Sequence, residues 1–109
     1  MDIKREKIEN YTVLKIMGRV DTFHAVELEA EVNRLFESGE KHLIFNCNKM
    51  DYISSSGLRV FLVAQKKVLS LKGELFLCEL QPGIQEVFRI SGFASLFKIY
   101  DNQNEIFKN

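Results

Sequence analysis

The sequence predicts a single α/β domain in which a mixed β-sheet is flanked by α-helices. Apolar segments with strand and helix periodicity follow each other in the order β-β-α-β-α-β-α-β-α. Such alternation implies parallel crossovers. Of the 109 residues, 46% are apolar and only one is proline, which suits a compact core with short connections. The length allows one domain, residues 1–109.

The chain is predicted to begin with a β-hairpin. Residues 3–9 alternate weakly between apolar and polar side chains, and residues 12–17 form a more apolar strand. Asn10 marks the turn between them, and Gly18 is expected to end the second strand.

The first helix is predicted over residues 24–37. Its apolar positions recur at helical spacing, and Gly39 follows where a left-handed C-terminal cap is favoured. Asp21, Thr22 and His24 are all possible N-cap positions. The side chains expected on the buried face are Leu28, Val32, Leu35 and Phe36.

The middle of the chain predicts a buried strand, a loop and a second helix. Residues 42–47 form a nearly continuous apolar run, which is typical of a strand covered on both faces. Residues 48–53 are expected to form a loop. A helix from Ser55 or Ser56 to Leu71 follows. Its expected inward side chains are Leu58, Phe61, Leu62, Val68 and Leu69.

The last third predicts a strand, a short helix and a final strand. Residues 74–80 form the first of these, with Leu77 expected to be buried. Pro82 then stands where a first-turn proline belongs. Gly92 is expected to end the short helix. Residues 96–100 are predicted to form the last strand, and residues 102–108 one or two helical turns.

Charge and composition disfavour several classes of function. Lys plus Arg and Asp plus Glu are equal at 15 each, so the chain has no overall attraction for nucleic acid. No apolar run approaches the ~20 residues that cross a bilayer, and the first residues lack the apolar core of a signal peptide. We therefore expect a cytoplasmic protein without membrane insertion.

The sequence shows no sign of an enzyme. A glycine-rich phosphate loop and a nucleophile–His–acid order are both absent, as are the acidic pair and late lysine of a receiver domain. His24 and His42 have no plausible catalytic partners, and Cys47 and Cys78 lie in apolar segments as expected for buried free thiols. No Cys and His cluster has metal-ligand spacing, so we expect no cofactor.

The unusual segment is the serine run before the second helix. Ser54, Ser55 and Ser56 precede Gly57. One serine is enough for an N-cap, and three exceed that need. A helix N-terminus also suits a phosphate, because it offers free N–H groups and the positive end of the helix dipole.

Three segments resemble STAS domains, in particular the bacterial anti-sigma factor antagonists. Residues 53–58 (Ile-Ser-Ser-Ser-Gly-Leu) resemble the family's Asp-Ser-Ser/Thr-Gly-Leu signature, and residues 18–21 (Gly-Arg-Val-Asp) are similar to its Gly-x-Leu/Ile-Asp turn. Residues 87–93 and 96–100 are similar to its C-terminal pattern. The resemblance covers almost the whole chain in the right order of elements.

The resemblance implies a partner-switching mechanism. An unmodified antagonist binds an anti-sigma factor, which is also a serine kinase, and so frees a sigma factor. The kinase phosphorylates the serine directly before the glycine, here Ser56, with Ser55 and Ser54 as rivals. A PP2C-type serine phosphatase then resets the antagonist. The residues expected to bind the partner are Asp21, Ser54, Ser55, Ser56, Gly57 and Arg59.

Some of these residues have more than one interpretation. Asp21 either caps the first helix or shapes the surface near the acceptor serine. Ser54 replaces the family's usual Asp, and Ser55 is a second candidate for the helix cap. Gly57 is expected to leave room for a partner to approach the backbone. Arg59 stands where the family often has glycine, and it could pair with a phosphate, pair with an acidic partner or remain a solvated charge.

Two other functions are compatible with the same fold. The chain could be a STAS accessory subunit of an ABC-type lipid transporter, in which no kinase takes part. It could also correspond to the tail of a sulfate transporter, but it starts at Met1 and has no membrane part. We favour the anti-sigma factor antagonist over these two alternatives.

Overall fold

A computed structural model of the protein describes residues 1–108, so the last residue of the predicted domain, Asn109, lies outside the described residues. The strands are β1 (Asp2–Ile8), β2 (Tyr11–Val20), β3 (His42–Asn46), β4 (Met50–Ile53), β5 (Glu74–Cys78) and β6 (Lys98–Tyr100). The helices are α1 (Thr22–Glu37), α2 (Ser55–Ser70) and α3 (Pro82–Ser91), with 3₁₀ helices at Phe93–Leu96 and Gln103–Lys108. This is the single α/β domain that the sequence predicts.

The sheet is mixed, as predicted. Its strand order is β1-β2-β3-β5-β6, and β4 pairs with β2 beside this path. Among the strands of residues 1–108, only the β1–β2 hairpin is antiparallel, and the other pairs are parallel. The long strand β2 therefore pairs with β3 along its first half and with β4 along its second half.

The prediction that Gly18 ends the second strand was wrong, and so was the predicted loop at residues 50–53, which form β4; only residues 48–49 are a turn. Gly18 adopts a positive φ of 87°, and the pairing register with β4 shifts between Gly18 and Arg19. Such an irregularity bends a strand without ending it. The strand continues to Val20 and β4 pairs with its second half.

The pairing of β2 with β4 determines where the helices begin. Val20, the last residue of β2, lies opposite Ile53, the last residue of β4, in a parallel register. Both strands run directly into helices, so α1 and α2 start side by side at the same edge of the sheet. The first turns of these two helices form the candidate site.

The main core lies between the sheet and the three α-helices. Phe45 of β3, Phe61 of α2 and Phe88 of α3 are fully buried, with ring centroids 5.0 Å apart for the first pair and 5.9 Å for the second. The predicted burial of Leu28, Val32, Phe45 and Leu77 is confirmed. A smaller cluster on the opposite face of the sheet is covered by Ile106.

The buried face of α2 differs from the prediction. Leu69 is 62% exposed, which contradicts its expected inward position, and Leu62 is only half-buried. The buried residues of α2 are Gly57, Leu58, Val60, Phe61, Ala64 and Val68. Ala64, which was not among the expected inward residues, is buried in place of Leu69. In α1, similarly, Leu35 is buried whereas Phe36 is only partly so.

Several predicted element ends are confirmed. Gly39 has a φ of 87°, and its N–H donates to Phe36 while Glu40 donates to Leu35, which forms the expected left-handed cap after α1. Pro82 opens α3, and Gly92 ends it in a left-handed conformation. The last strand is shorter than predicted because Phe93–Leu96 forms a 3₁₀ turn.

Both cysteines are buried free thiols, as predicted. Burial raises the pKa of the Cys78 thiol to about 12 and raises that of Cys47 further. Both groups therefore stay protonated and poorly nucleophilic at neutral pH. Among the described residues, no helix combines the length and apolar character needed to cross a membrane.

Candidate functional site

The candidate site lies where β2 and β4 end. The N–H of Ser54 donates to the carbonyl of Val20 at 2.8 Å, which fixes the start of α2 against the last residue of β2. The predicted site residues at 54–59 therefore lie beside Asp21, which immediately follows Val20. The structure brings together two segments that are more than thirty residues apart in the sequence.

Asp21 is the N-cap of α1. Its Oδ1 accepts a hydrogen bond from the backbone N–H of His24 at 2.8 Å, and His24 Nδ1 also lies 2.8 Å from this oxygen. The pKa of the Asp21 carboxyl is lowered, chiefly by the hydrogen bond from the backbone of His24. Its capping role is thus confirmed, and its contribution to partner binding stays a prediction.

The cap of α2 is Ser54. Its side-chain oxygen accepts a hydrogen bond from the N–H of Gly57 at 3.1 Å. The suggestion that Ser55 caps this helix was wrong, because Ser55 is already the first helical residue. Serine thus performs the capping function at the position where the family usually has Asp.

Gly57 is required by packing inside the domain. An added Cβ would lie 2.8 Å from Ile53 Cγ1 and 2.9 Å from Val20 Cγ1, closer than real contacts allow. Gly57 is buried, and the missing side chain would point toward the ends of β2 and β4. The physical reason for glycine is therefore the close approach of α2 to these strands, not the expected room for an external partner.

Ser55 and Ser56 differ in their surroundings. Ser55 is exposed, whereas Ser56 is half-buried in a groove of about 320 Å³ between α1 and α2. Both residues belong to the first helical turn, where backbone N–H groups have no carbonyl partner within the helix. The groove is lined by Thr22, Ala25, Val26, Glu29, Ser56, Arg59 and Val60.

Arg59 lines the same groove one turn after Ser56. Its side chain is exposed, and within residues 1–108 no carboxylate oxygen lies within 4.0 Å of its guanidinium. Glu29 contributes a negative charge from the α1 side. The groove thus contains one cation and one anion that are not paired.

Two exposed apolar residues of α1 were missed in the sequence. Phe23 is 80% exposed and Val26 is 69% exposed, and Val26 also lines the groove. The signal was available, because both positions fall outside the apolar stripe of α1. Adjacent exposed apolar side chains of this kind often mark protein contacts. We call Phe23, Val26, Ser55, Ser56 and Arg59 together the α1–α2 surface.

A second feature that sequence inspection did not identify flanks this surface. The guanidinium of Arg19 lies 4.1 Å from the centre of the Tyr52 ring. The two residues are neighbours because β4 pairs with β2, a pairing that was not predicted. This cation–π contact provides a partly exposed aromatic group beside the start of α2.

Within residues 1–108, no group of three or more His, Cys, Asp or Glu side chains is arranged to hold a metal ion. The candidate site offers hydroxyl groups, backbone N–H groups, one guanidinium and apolar side chains. Such groups recognise another protein or a phosphate.

Comparison with known proteins identifies relatives along nearly the full chain. The family model for the STAS domain matches residues 2–106. BtrV of Bordetella bronchiseptica, to which an anti-sigma factor antagonist role is provisionally assigned, is 39% identical over 103 residues. That match covers 94% of this chain and 89% of BtrV.

Solved structures show the same fold. One is the crystal structure of a Thermotoga maritima protein to which an anti-sigma factor antagonist role is also provisionally assigned. It superposes with a TM-score of 0.92 at 17% sequence identity, and the match covers 97% of this chain and 92% of that chain. The Bacillus cell fate determinant SpoIIAA in its phosphorylated form gives a TM-score of 0.76 at 18% identity, with 97% and 96% covered. With the family match over residues 2–106 and a relative at 39% identity, the chain belongs to the STAS domain family.

Proposed function

We propose that this protein is an anti-sigma factor antagonist that works by partner switching. In its unmodified form, the α1–α2 surface binds an anti-sigma factor that is also a serine kinase. Phosphorylation of Ser56 releases the partner, and a PP2C-type serine phosphatase restores the binding form. The observation that supports this most directly is the position of Ser56, half-buried in a groove that is bordered by exposed apolar side chains of α1.

The three serines are not equivalent as phosphate acceptors. Ser54 already uses its side-chain oxygen to accept from the N–H of Gly57 at the start of α2. Ser55 is exposed and remains the rival. Ser56 precedes Gly57 directly, as the acceptor serine does in the family signature, and it faces the groove. These differences favour Ser56.

A phosphate in the groove would act mainly on the partner. It adds about −1.5 to −2 charges at neutral pH. The first turn of a helix tolerates this charge. A partner that covers Phe23 and Val26 would have to desolvate the charge or repel it. That SpoIIAA has a known phosphorylated form with this fold supports the compatibility of the fold with such a modification.

The proposal is a binding function without catalysis by this chain. The two thiols have raised pKa values, which makes them poor nucleophiles. The hydroxyl, amide and guanidinium groups of the site can recognise a partner, and the chemistry of phosphate transfer would come from the kinase and the phosphatase.

Affinity purification from the native host tests the proposal. Ser56→Ala, which only removes a hydroxyl, is expected to recover an ATPase related to histidine kinases, and Ser56→Asp is expected to lose it. Ser70→Asp, at the far end of α2, serves as the charge-matched control and should retain the partner. Recovery of ABC transporter subunits, or equal recovery by all three variants, would contradict the proposal.

Peptide mapping then locates the phosphate. After incubation with the recovered kinase and ATP, the phosphate is expected on Ser56. A phosphate on Ser54 or Ser55 with Ser56 unmodified would overturn the assignment of the acceptor.

A further inference from the structure

Two of the three arginines that lie in α-helices pair with a glutamate three residues earlier, and the third does not. In α1, Arg34 Nη2 lies 2.6 Å from a carboxylate oxygen of Glu31, three residues earlier. In α3, Arg89 Nε donates at 3.0 Å to Glu86, again three residues earlier. Two helices of the domain thus use the same spacing to join a guanidinium to an anion.

The arginine of α2 has a serine at the corresponding position. Arg59 is three residues after Ser56, and within the described residues its guanidinium has no carboxylate oxygen within 4.0 Å. Side chains in a helix lean toward its N-terminus, so Arg59 extends over the turn that contains Ser56. Both residues line the same groove.

We infer that Arg59 is the intramolecular partner of a phosphate on Ser56. A phosphoserine at position 56 would provide the anion that Glu31 and Glu86 provide in the other helices. This inference rests on the proposed function only in taking Ser56 to be the modified serine. It also decides between the two functional interpretations of Arg59, in favour of the phosphate.

Glu29 limits the strength of this pair. It lines the groove from α1, so its negative charge opposes the placement of a phosphate there. In the unmodified protein, Arg59 and Glu29 balance each other in charge. A phosphate of about −1.5 to −2 charges outweighs the carboxylate and engages Arg59. Phosphorylation would therefore change the surface twice, since it adds an anion and also withdraws a cation that a partner could contact.

The pair can be tested without any kinase. Phosphoserine is installed at position 56 by genetic encoding, and the second pKa of the phosphate, about 6 when unperturbed, is measured by phosphorus-31 NMR titration. A neighbouring cation favours the dianion and lowers this pKa. Arg59→Gln is therefore expected to raise the phosphate pKa by about 0.2–0.7 unit, the range of exposed ion pairs.

Two further variants provide an opposite shift of the phosphate pKa and a control. Glu29→Gln is expected to lower the phosphate pKa, because it removes the competing anion. Lys66→Gln is the matched control, since it removes a cation from the same face of α2 about 10 Å further along the helix, and it should leave the pKa unchanged. The Arg59 Nε–H signal should shift on phosphorylation of the parent protein.

The outcomes separate this inference from the proposed function. If Arg59→Gln and Lys66→Gln leave the same phosphate pKa as the parent, the inference is overturned, wherever the protein is phosphorylated in its host. If the pKa responds as expected but no kinase modifies Ser56, the pair stands and the proposed switch fails.

Discussion

Helices α1 and α2 begin with the same cap geometry but with different chemical groups. Asp21 and Ser54 have almost identical φ values of −84° and −83°, and each side chain accepts from the backbone N–H three residues later. The cap of α1 is a carboxylate, which compensates the positive end of its helix dipole. The cap of α2 is neutral, so its dipole remains available to an added anion.

The two helices also differ at their third residue. In α1 this residue is His24, whose ring lies over the cap. In α2 it is Gly57, which has no room for a side chain because the helix packs directly against Val20 and Ile53. The start of α1 is thus covered by the side chains of Asp21 and His24. The start of α2 packs tightly against the ends of β2 and β4 on one side, and Ser55 is exposed to solvent. This contrast supports the proposal that α2, and not α1, accepts the modification.

The largest expected effect is on stability, and it compares a buried phenylalanine of α2 with an exposed phenylalanine of α1. Phe61 of α2 is fully buried between Phe45 and Phe88, so Phe61→Ala should lower the free energy of unfolding by about 3–5 kcal/mol. Phe23→Ala removes the same atoms from an 80% exposed position on α1 and should change stability by no more than about 0.5 kcal/mol. Denaturant unfolding of both variants measures the contrast, and a similar loss in both would refute the assignment of Phe23 to an open surface.

The next largest effect on stability is expected at Gly57. Gly57→Ala forces a methyl group against Val20 and Ile53 and should destabilise the protein by about 1–3 kcal/mol, as overpacking does, although alanine favours the helix. Gly83→Ala is the matched control in the first turn of α3, where an added Cβ meets nothing within 4 Å. That variant should be neutral or slightly stabilising. Equal midpoints of thermal unfolding for the two variants would contradict the packing account of Gly57.

Much of this fold could be predicted from sequence because it depends on local patterns. The helices, the capping glycines and the serine run were recognised from spacing and turn chemistry. Strand β4 was missed because it has only four residues, two of them exposed, and because the strand it pairs with continues through Gly18. The groove was also missed, since it exists only once β2 and β4 place α1 beside α2. The distance between α1 and α2 depends on this strand pairing and cannot be derived from patterns along the chain.

A smaller effect is expected at the cap of α2. Ser54→Ala removes the acceptor for the Gly57 N–H and should cost about 1 kcal/mol. Ser54→Asp should restore the cap, because a carboxylate performs this function in α1. It should also compensate the helix dipole and so weaken the attraction for a phosphate on Ser56. Chemical denaturation measures the first effect, and the phosphorus-31 titration of the phosphorylated protein measures the second. A Ser54→Asp variant no more stable than Ser54→Ala would show that the two caps are not equivalent.

The smallest effect is a difference in pH dependence between the two caps. The hydrogen bond from the His24 N–H holds the pKa of Asp21 below its usual value. Because the folded-state pKa is depressed, this contribution to stability is complete above the unfolded pKa of about 3.9 and is lost as pH falls through the folded value. Asp21→Asn keeps a capping oxygen without the charge, so the stability difference between the parent and this variant should shrink below about pH 4. Ser54 does not titrate, and the cost of Ser54→Ala should stay the same across this range. A difference for Asp21→Asn that is equally constant with pH would mean that Asp21 caps α1 by geometry alone, and the contrast between a charged and a neutral helix start would then lose its energetic basis.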